Sequence, residues 1–373
     1  MLSLDTFLLL FHSKSAVDFD KFWKNAKVRI NTKMISLKEY CIKKHINTQD
    51  IKLLFENIHN RNLYLTRFYN KSLKCPDSLL ITEDPMKKRE MNNDKNVKYK
   101  NIIRNMFYKE ILQLTQSGME NNPTFMNVLH DLYIEHIIDY KLLTPSALHY
   151  IREGRIGSVF SSYYFRASIL NPYLIYSLNK RIFRAKRIFT PTLGWGSYFY
   201  GFSQTDITHY VGIDVIPSVC SGVRTFTRAF PQINSEIICK PSENVAKDRQ
   251  FMNKYRGFFD LIFFSPPYYR LELYPGSEQS TTNYSNYADW LHNYWEKTIQ
   301  LCKHVLEPSS GKICYIISDY GSDNVGQKYN LIHDMNTITK KYFTYKEMLP
   351  MYNKNVHVTA HRETSEKIFI FEN

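Results

Sequence analysis

Several things are missing from this sequence, and each absence removes a class of protein. No stretch reaches the roughly 18 consecutive apolar residues of a membrane-spanning helix, so a helical membrane span is not expected. The apolar opening from Leu2 to Phe11 has no basic start, carries Asp5 and lacks a small-residue cleavage site. It is read as a buried amphipathic helix, not a signal peptide. Cysteine is sparse and unpaired: Cys41, Cys75, Cys220, Cys239, Cys302 and Cys314 show no C-x-x-C and no regular spacing. That argues against a disulfide framework or a zinc ribbon. Cys239 and Cys314 lie in apolar runs, where a reduced, buried thiol is the default. The expected setting is therefore an intracellular, reducing one (cytoplasm or nucleus, with a virion as the alternative). There is no internal repeat. His357 and His361 have the spacing of a metal-binding pair, but no Glu stands between them and a loop is expected there, so no metal is assigned.

What is present describes a globular chain with a polyanionic partner. A length of 373 residues suits two domains, and 43% hydrophobic with 23% charged residues is ordinary for a folded protein. The formal net charge of +14 favours nucleic acid, with DNA expected and RNA as the alternative. The chain changes texture near position 150. Residues 1–150 read as helices with polar joints: Asp18 to Asn25, Ile51 to Ile58, Ile102 to Leu114 and Thr124 to Tyr140 repeat apolar residues at three- and four-residue steps. The charged joint from Thr82 to Lys100 is expected to be a solvated loop, with a phosphate-contacting arm as the other reading. Thr144-Pro145-Ser146 reads as an N-cap followed by proline at the first helical position.

Residues 151–373 alternate strand-like and helical runs, the pattern of β-α-β units. Five parallel strands are predicted at Arg187 to Thr192, Tyr210 to Val215, Ser235 to Lys240, Phe259 to Ser265 and Lys312 to Ser318. Helices are predicted at Ile216 to Phe230 and Tyr287 to Leu306. Tyr345 to Met351 and Lys367 to Phe371 have no helix between them, which predicts an antiparallel pair at the sheet edge. The predicted architecture is α/β: a mostly parallel, doubly wound Rossmann-like sheet preceded by a helical domain.

The strand ends carry the chemistry. The first breaks on Thr190-Pro191-Thr192-Leu193-Gly194-Trp195-Gly196, where glycine lets a ligand approach the backbone. The second closes on Asp214, the position that takes ribose hydroxyls in doubly wound folds. The third leads to Ser242-Glu243, within reach of an adenine edge. The fourth ends in Ser265-Pro266-Pro267-Tyr268, a stiff turn of free carbonyls followed by an aromatic, suited to a flat ring with an amino group. A dinucleotide is disfavoured because Phe199 stands where a third glycine would be, and no phosphate-binding lysine motif is present. A cofactor without phosphates, S-adenosylmethionine, fits better.

Here the residues resemble a known family. G-W-G, an acidic second strand and S-P-P-Y are together similar to the amino-methylating DNA methyltransferases. Pro191 to Gly196, Tyr210 to Asp214 and Phe264 to Tyr268 resemble more closely a phage and large-DNA-virus branch of them. Leu271 to Tyr274, Glu278 to Ser280 and Trp290 also look like that branch. The resemblance implies a methyltransferase fold over about 154–373. It implies that Gly194 and Gly196 line the methionine end of the cofactor, with Asp214 on the ribose and Ser242 or Glu243 on the adenine. Ser265, Pro266, Pro267 and Tyr268 would form the catalytic loop. Phe160 to Arg166 looks like the family's extra cofactor-contacting element. Tyr269 and Tyr284 to Trp290 are read either as channel lining or as packing. The family usually has aspartate where this chain has Thr190, and a hydroxyl is a poorer partner for the cofactor's ammonium. A non-catalytic nucleic-acid-binding protein is therefore the alternative, and methylation of RNA or protein glutamine is another. Ser265 tilts the expected target towards cytosine N4 over adenine N6.

Overall fold

The computed structural model describes residues 1–12, 18–119, 122–153, 159, 163–322, 327–352 and 363–373. By its internal contacts the chain forms two compact units, one of Met1–Lys74 with Arg104–Ala167 and one of Cys75–Ile103 with Ser168–Asn373. The chain thus passes between units three times, where a single passage near 150 was read from the sequence.

The first unit is mainly helical. Thr48–His59 and Arg61–Ser72 are its longest helices. Thr144 caps Pro145–Arg152 as expected, its side chain accepting from the Ala147 N–H. Arg152 then makes a two-pronged pair with Asp50 at 2.7 Å. One feature departs from the helical expectation. Lys27–Ile30 and Lys33–Ser36 form an antiparallel hairpin, and Ile137–Asp139 adds to it in parallel. These strands are three or four residues long, too short for alternation to stand out from the helical pattern around them.

The second unit is built on a seven-stranded sheet. Its strands are β1 (Arg187–Thr190), β2 (His209–Asp214), β3 (Asn234–Cys239), β4 (Leu261–Phe264), β5 (Lys312–Ile317), β6 (Thr344–Tyr352) and β7 (Glu363–Glu372). The order across the sheet is β3-β2-β1-β4-β5-β7-β6. Strands β1 to β5 pair in parallel, whereas β7 is antiparallel to both β5 and β6. This is the Rossmann-like methyltransferase fold, with the predicted antiparallel pair at its C-terminal edge. The central strands are continuous apolar runs because helices cover both faces: all four residues of β4 are buried. Phe189 stacks on Phe259 with ring centroids 5.2 Å apart, and Phe199 packs edge-on to Tyr210 at 5.1 Å. At the opening of β4, Asp260 accepts from the backbone N–H groups of Lys186 and Arg187 and from the Arg187 guanidinium, fixing β4 against β1.

The charged joint is not a solvated loop. Met86 and Met91 are buried, and the Asn171 side chain donates to the carbonyls of Asn93 and Lys95. Met91 also accepts from the Tyr352 N–H. Two buried methionines and a buried asparagine hold a segment whose composition alone reads as water-exposed.

No helix among the described residues is long and apolar enough to cross a membrane. All six cysteines are free.

Candidate functional site

The carboxyl ends of β1, β2 and β4 meet at one rim, after the order reverses on either side of β1. Leaving β1, the chain makes a left-handed turn: Gly194, Trp195 and Gly196 have φ of 53°, 60° and 81°. A side chain at Gly194 would put its Cβ 2.2 Å from the Tyr198 ring, and one at Gly196 would meet Val223 at 2.8 Å. Only glycine meets both demands there. Trp195 tolerates the same region because it is anchored. Its indole N–H donates to the Ser168 carbonyl at 2.9 Å and its ring lies edge-on to Tyr274 at 5.7 Å.

Asp214 locks this turn to β2. One carboxylate oxygen accepts from the Leu193 N–H at 3.2 Å, and the other from Val215 at 2.8 Å and Ile216 at 3.1 Å. Burial raises the carboxyl pKa, and those N–H groups oppose the rise. Thr190 does not face the rim. It is fully buried, with its hydroxyl bonded to the Tyr210 hydroxyl at 2.7 Å. Pro191 follows it, also buried.

Ser265 is tied into the same assembly. Its N–H donates to the Tyr198 hydroxyl at 3.0 Å, and its carbonyl accepts from Thr192 at 3.4 Å and Tyr198 at 3.3 Å. Its own hydroxyl donates to the Ile316 carbonyl of β5 at 2.9 Å. The proton of that hydroxyl is spent, so any further partner meets only lone pairs. Pro266 and Pro267 contribute carbonyls and no N–H. The Tyr268 hydroxyl accepts from the Ser318 N–H at 2.8 Å, and its ring leans on Tyr320 at 5.6 Å and 30°.

Ser242 and Glu243 sit apart from this network, on the short helix Ser242–Val245. The Ser242 hydroxyl pairs with Thr298 at 2.8 Å, and Glu243 accepts from the Tyr284 hydroxyl at 2.7 Å. Of the aromatics read as channel or packing, Tyr269 and Trp290 are packed, buried together with ring centroids 5.9 Å apart. Phe160 to Ser162 of the extra element, together with His357 and His361, lie outside the described residues. No cluster of metal-binding side chains occurs among the described residues.

Sequence reasoning passed over Tyr198, which joins the glycine turn to the proline loop. Its hydroxyl is a lone pair for one partner and a donor for the other, and burial raises its pKa so that it stays protonated. Replacing it by phenylalanine leaves the Ser265 N–H without its acceptor, a cost of about 1–3 kcal/mol. Calorimetric unfolding of Tyr198→Phe should show a Tm lower by several degrees; an unchanged Tm would mean the bond contributes nothing.

No family model matches the chain, and no curated protein matches it. Among solved structures it is similar to the N-methyltransferase NodS from Bradyrhizobium japonicum WM9 in complex with S-adenosyl-L-homocysteine, at 14% identity and a TM-score of 0.34, covering 54% of this chain and 83% of that one. It is also similar to a SAM-dependent methyltransferase from Agrobacterium tumefaciens, at 8% identity and a TM-score of 0.39, covering 57% and 65%. Fibrillarin from Aeropyrum pernix with natively bound S-adenosyl-L-methionine aligns at 9% identity and a TM-score of 0.32, covering 50% and 66%. At such values the fold assignment rests on the strand order and directions, not on these likenesses.

Proposed function

We propose that this chain is an S-adenosylmethionine-dependent methyltransferase that acts on an exocyclic amino nitrogen of a DNA base, cytosine N4 or adenine N6. The observation that carries the reading is the loop after β4. Ser265 has given its proton to Ile316, and the two prolines that follow have no N–H, so the loop offers acceptors to an amino group. Such a group is a poor nucleophile because its lone pair is delocalised into the ring. Acceptor bonds from Ser265 and the Pro266 carbonyl draw its protons out of the ring plane and orient the lone pair.

The residues at the rim fit the cofactor. The turn at Gly194 and Gly196 keeps backbone exposed where side chains cannot stand, Asp214 closes β2, and Ser242 and Glu243 follow β3. Gly194 and Gly196 would hold the methionine end, with Thr190 and Pro191 beneath it, Asp214 the ribose and Ser242 or Glu243 the adenine. When bound, the cofactor supplies an electrophilic methyl group on a sulfonium. The base must leave the duplex to reach the loop, and Tyr268 is the side chain assigned to stack on it. The net charge of +14 suits a phosphate backbone.

The competing reading, a non-catalytic nucleic-acid-binding protein, is favoured by one observation: Thr190 is buried and satisfied by Tyr210, so it cannot pair with a cofactor ammonium. Incubation with methyl-labelled cofactor and a mixture of DNA, RNA and protein separates the readings. Label in DNA, recovered as N4-methylcytosine or N6-methyladenine by mass spectrometry of nucleosides, is expected. Label only in RNA or in protein glutamine would reassign the substrate, and no label in any fraction would favour the non-catalytic protein.

A further inference from the structure

The cofactor assigned above carries an amino-acid end, whose ammonium needs a carboxylate that the β1 terminus does not provide. Four carboxylates near the strand ends are candidates, and three are already engaged or differently placed. Asp214 accepts three backbone N–H groups. Glu243 accepts from Tyr284 and from Ser242. Glu366 on β7 feels the charge of Lys100. The fourth is Glu272. It is only 6% exposed, one of its oxygens accepts from the Ser168 N–H at 2.9 Å, and its Oε2 is buried with no hydrogen-bond partner. No basic side chain contributes to its pKa. A buried carboxylate left half-satisfied is costly unless something completes it.

Its position ties it to the glycine turn. The peptide of Ser168 is held on both sides: Glu272 takes its N–H, and the Trp195 indole gives a bond to its carbonyl. Trp195 is the middle residue of the turn between Gly194 and Gly196. Tyr274 packs on the Trp195 ring, and its phenol pKa is raised by burial first and then by the charge of Glu272, with Asp214 and Tyr198 adding to it. Glu272 therefore borders the rim from the side opposite β2.

We propose that Glu272 is a cofactor-binding residue whose free oxygen takes the α-ammonium of the amino-acid end of S-adenosylmethionine, the role that Thr190 cannot fill. This rests on the reading of the rim as a cofactor site. It explains how a chain with an uncharged, buried Thr190 keeps a cation subsite: the carboxylate is delivered from beyond the proline loop, seven residues after Ser265, not from β1.

The test compares two nucleosides by titration calorimetry on the full chain. S-adenosylhomocysteine carries the ammonium, and 5′-methylthioadenosine lacks the whole amino-acid end. Glu272→Gln should weaken S-adenosylhomocysteine about 10- to 100-fold, the worth of a hydrogen bond to a charged group, and leave 5′-methylthioadenosine within about twofold. The retained nucleoside reports that the variant is folded. A second measurement needs no variant: the wild-type chain should bind the analogue of S-adenosylhomocysteine without its α-amino group at least about tenfold more weakly than the parent. Equal weakening of both nucleosides by Glu272→Gln, or none for either, overturns the assignment while leaving the cofactor site intact. Selective loss in Glu366→Gln instead would overturn it in favour of that residue. A wild-type chain that binds none of these ligands overturns both the assignment and the reading on which it rests.

Discussion

Ser265→Ala should lower the rate of methyl transfer about 100- to 1,000-fold, the usual loss when one preorganised polar contact to a reacting group is removed, with little change in cofactor affinity. The hydroxyl stands at the end of β4, its proton directed to the Ile316 carbonyl and its lone pairs left for a substrate N–H. Alanine removes those lone pairs and leaves the backbone links of Ser265 to Tyr198 and Thr192 in place. The loop should therefore keep its course. Single-turnover transfer of a labelled methyl group measures the rate, and calorimetry with S-adenosylhomocysteine measures the affinity. A rate near that of the wild type would reduce Ser265 to a link between β4 and β5. Parallel loss of rate and affinity would point to a collapsed loop.

The second large effect is expected at Gly196. Gly196→Trp should abolish cofactor binding, for two reasons that act together. The residue has φ of 81°, where an L side chain costs roughly 1–2 kcal/mol, and its Cβ would meet the Val223 methyl group at 2.8 Å. The turn must move, and the indole then occupies space at the rim. Asp214→Ala should act more mildly, because it frees the Leu193, Val215 and Ile216 N–H groups without filling the cleft. Titration of both variants with S-adenosylhomocysteine, beside an unfolding curve, checks the order. Wild-type affinity in a folded Gly196→Trp chain would remove the glycine turn from the site.

The parts of the second unit that were legible in the sequence share a physical cause. Leu261–Phe264 and Lys312–Ile317 are buried on both faces, so they read as unbroken apolar runs, and the glycine turn and proline loop mark where such strands must stop. Paired β6 and β7 were legible because no helix separates them. The hairpin at Lys27–Ser36 was not, since strands of four residues leave too little pattern to oppose the surrounding helices. The segment around Met86 and Met91 misled through composition: its charges are outside and its two methionines inside. At the site, the glycines, Asp214 and Ser265 stood out by position at strand ends. Tyr198 and Glu272 did not, because their roles depend on partners 67 and 104 residues away. Thr190 was visible as a departure, and only its bond with Tyr210 explains it: the hydroxyl belongs to the core of the sheet and not to the cleft.

The central claim is that the rim at the ends of β1 and β2 binds S-adenosylmethionine. Titration calorimetry of the full chain with that compound, and with S-adenosylhomocysteine, tests it most directly. The account predicts saturable binding at one site per chain, lost in Gly196→Trp and weakened in Asp214→Ala. No detectable binding of either compound up to about 1 mM, equivalent to an affinity of only about 4 kcal/mol, would contradict it.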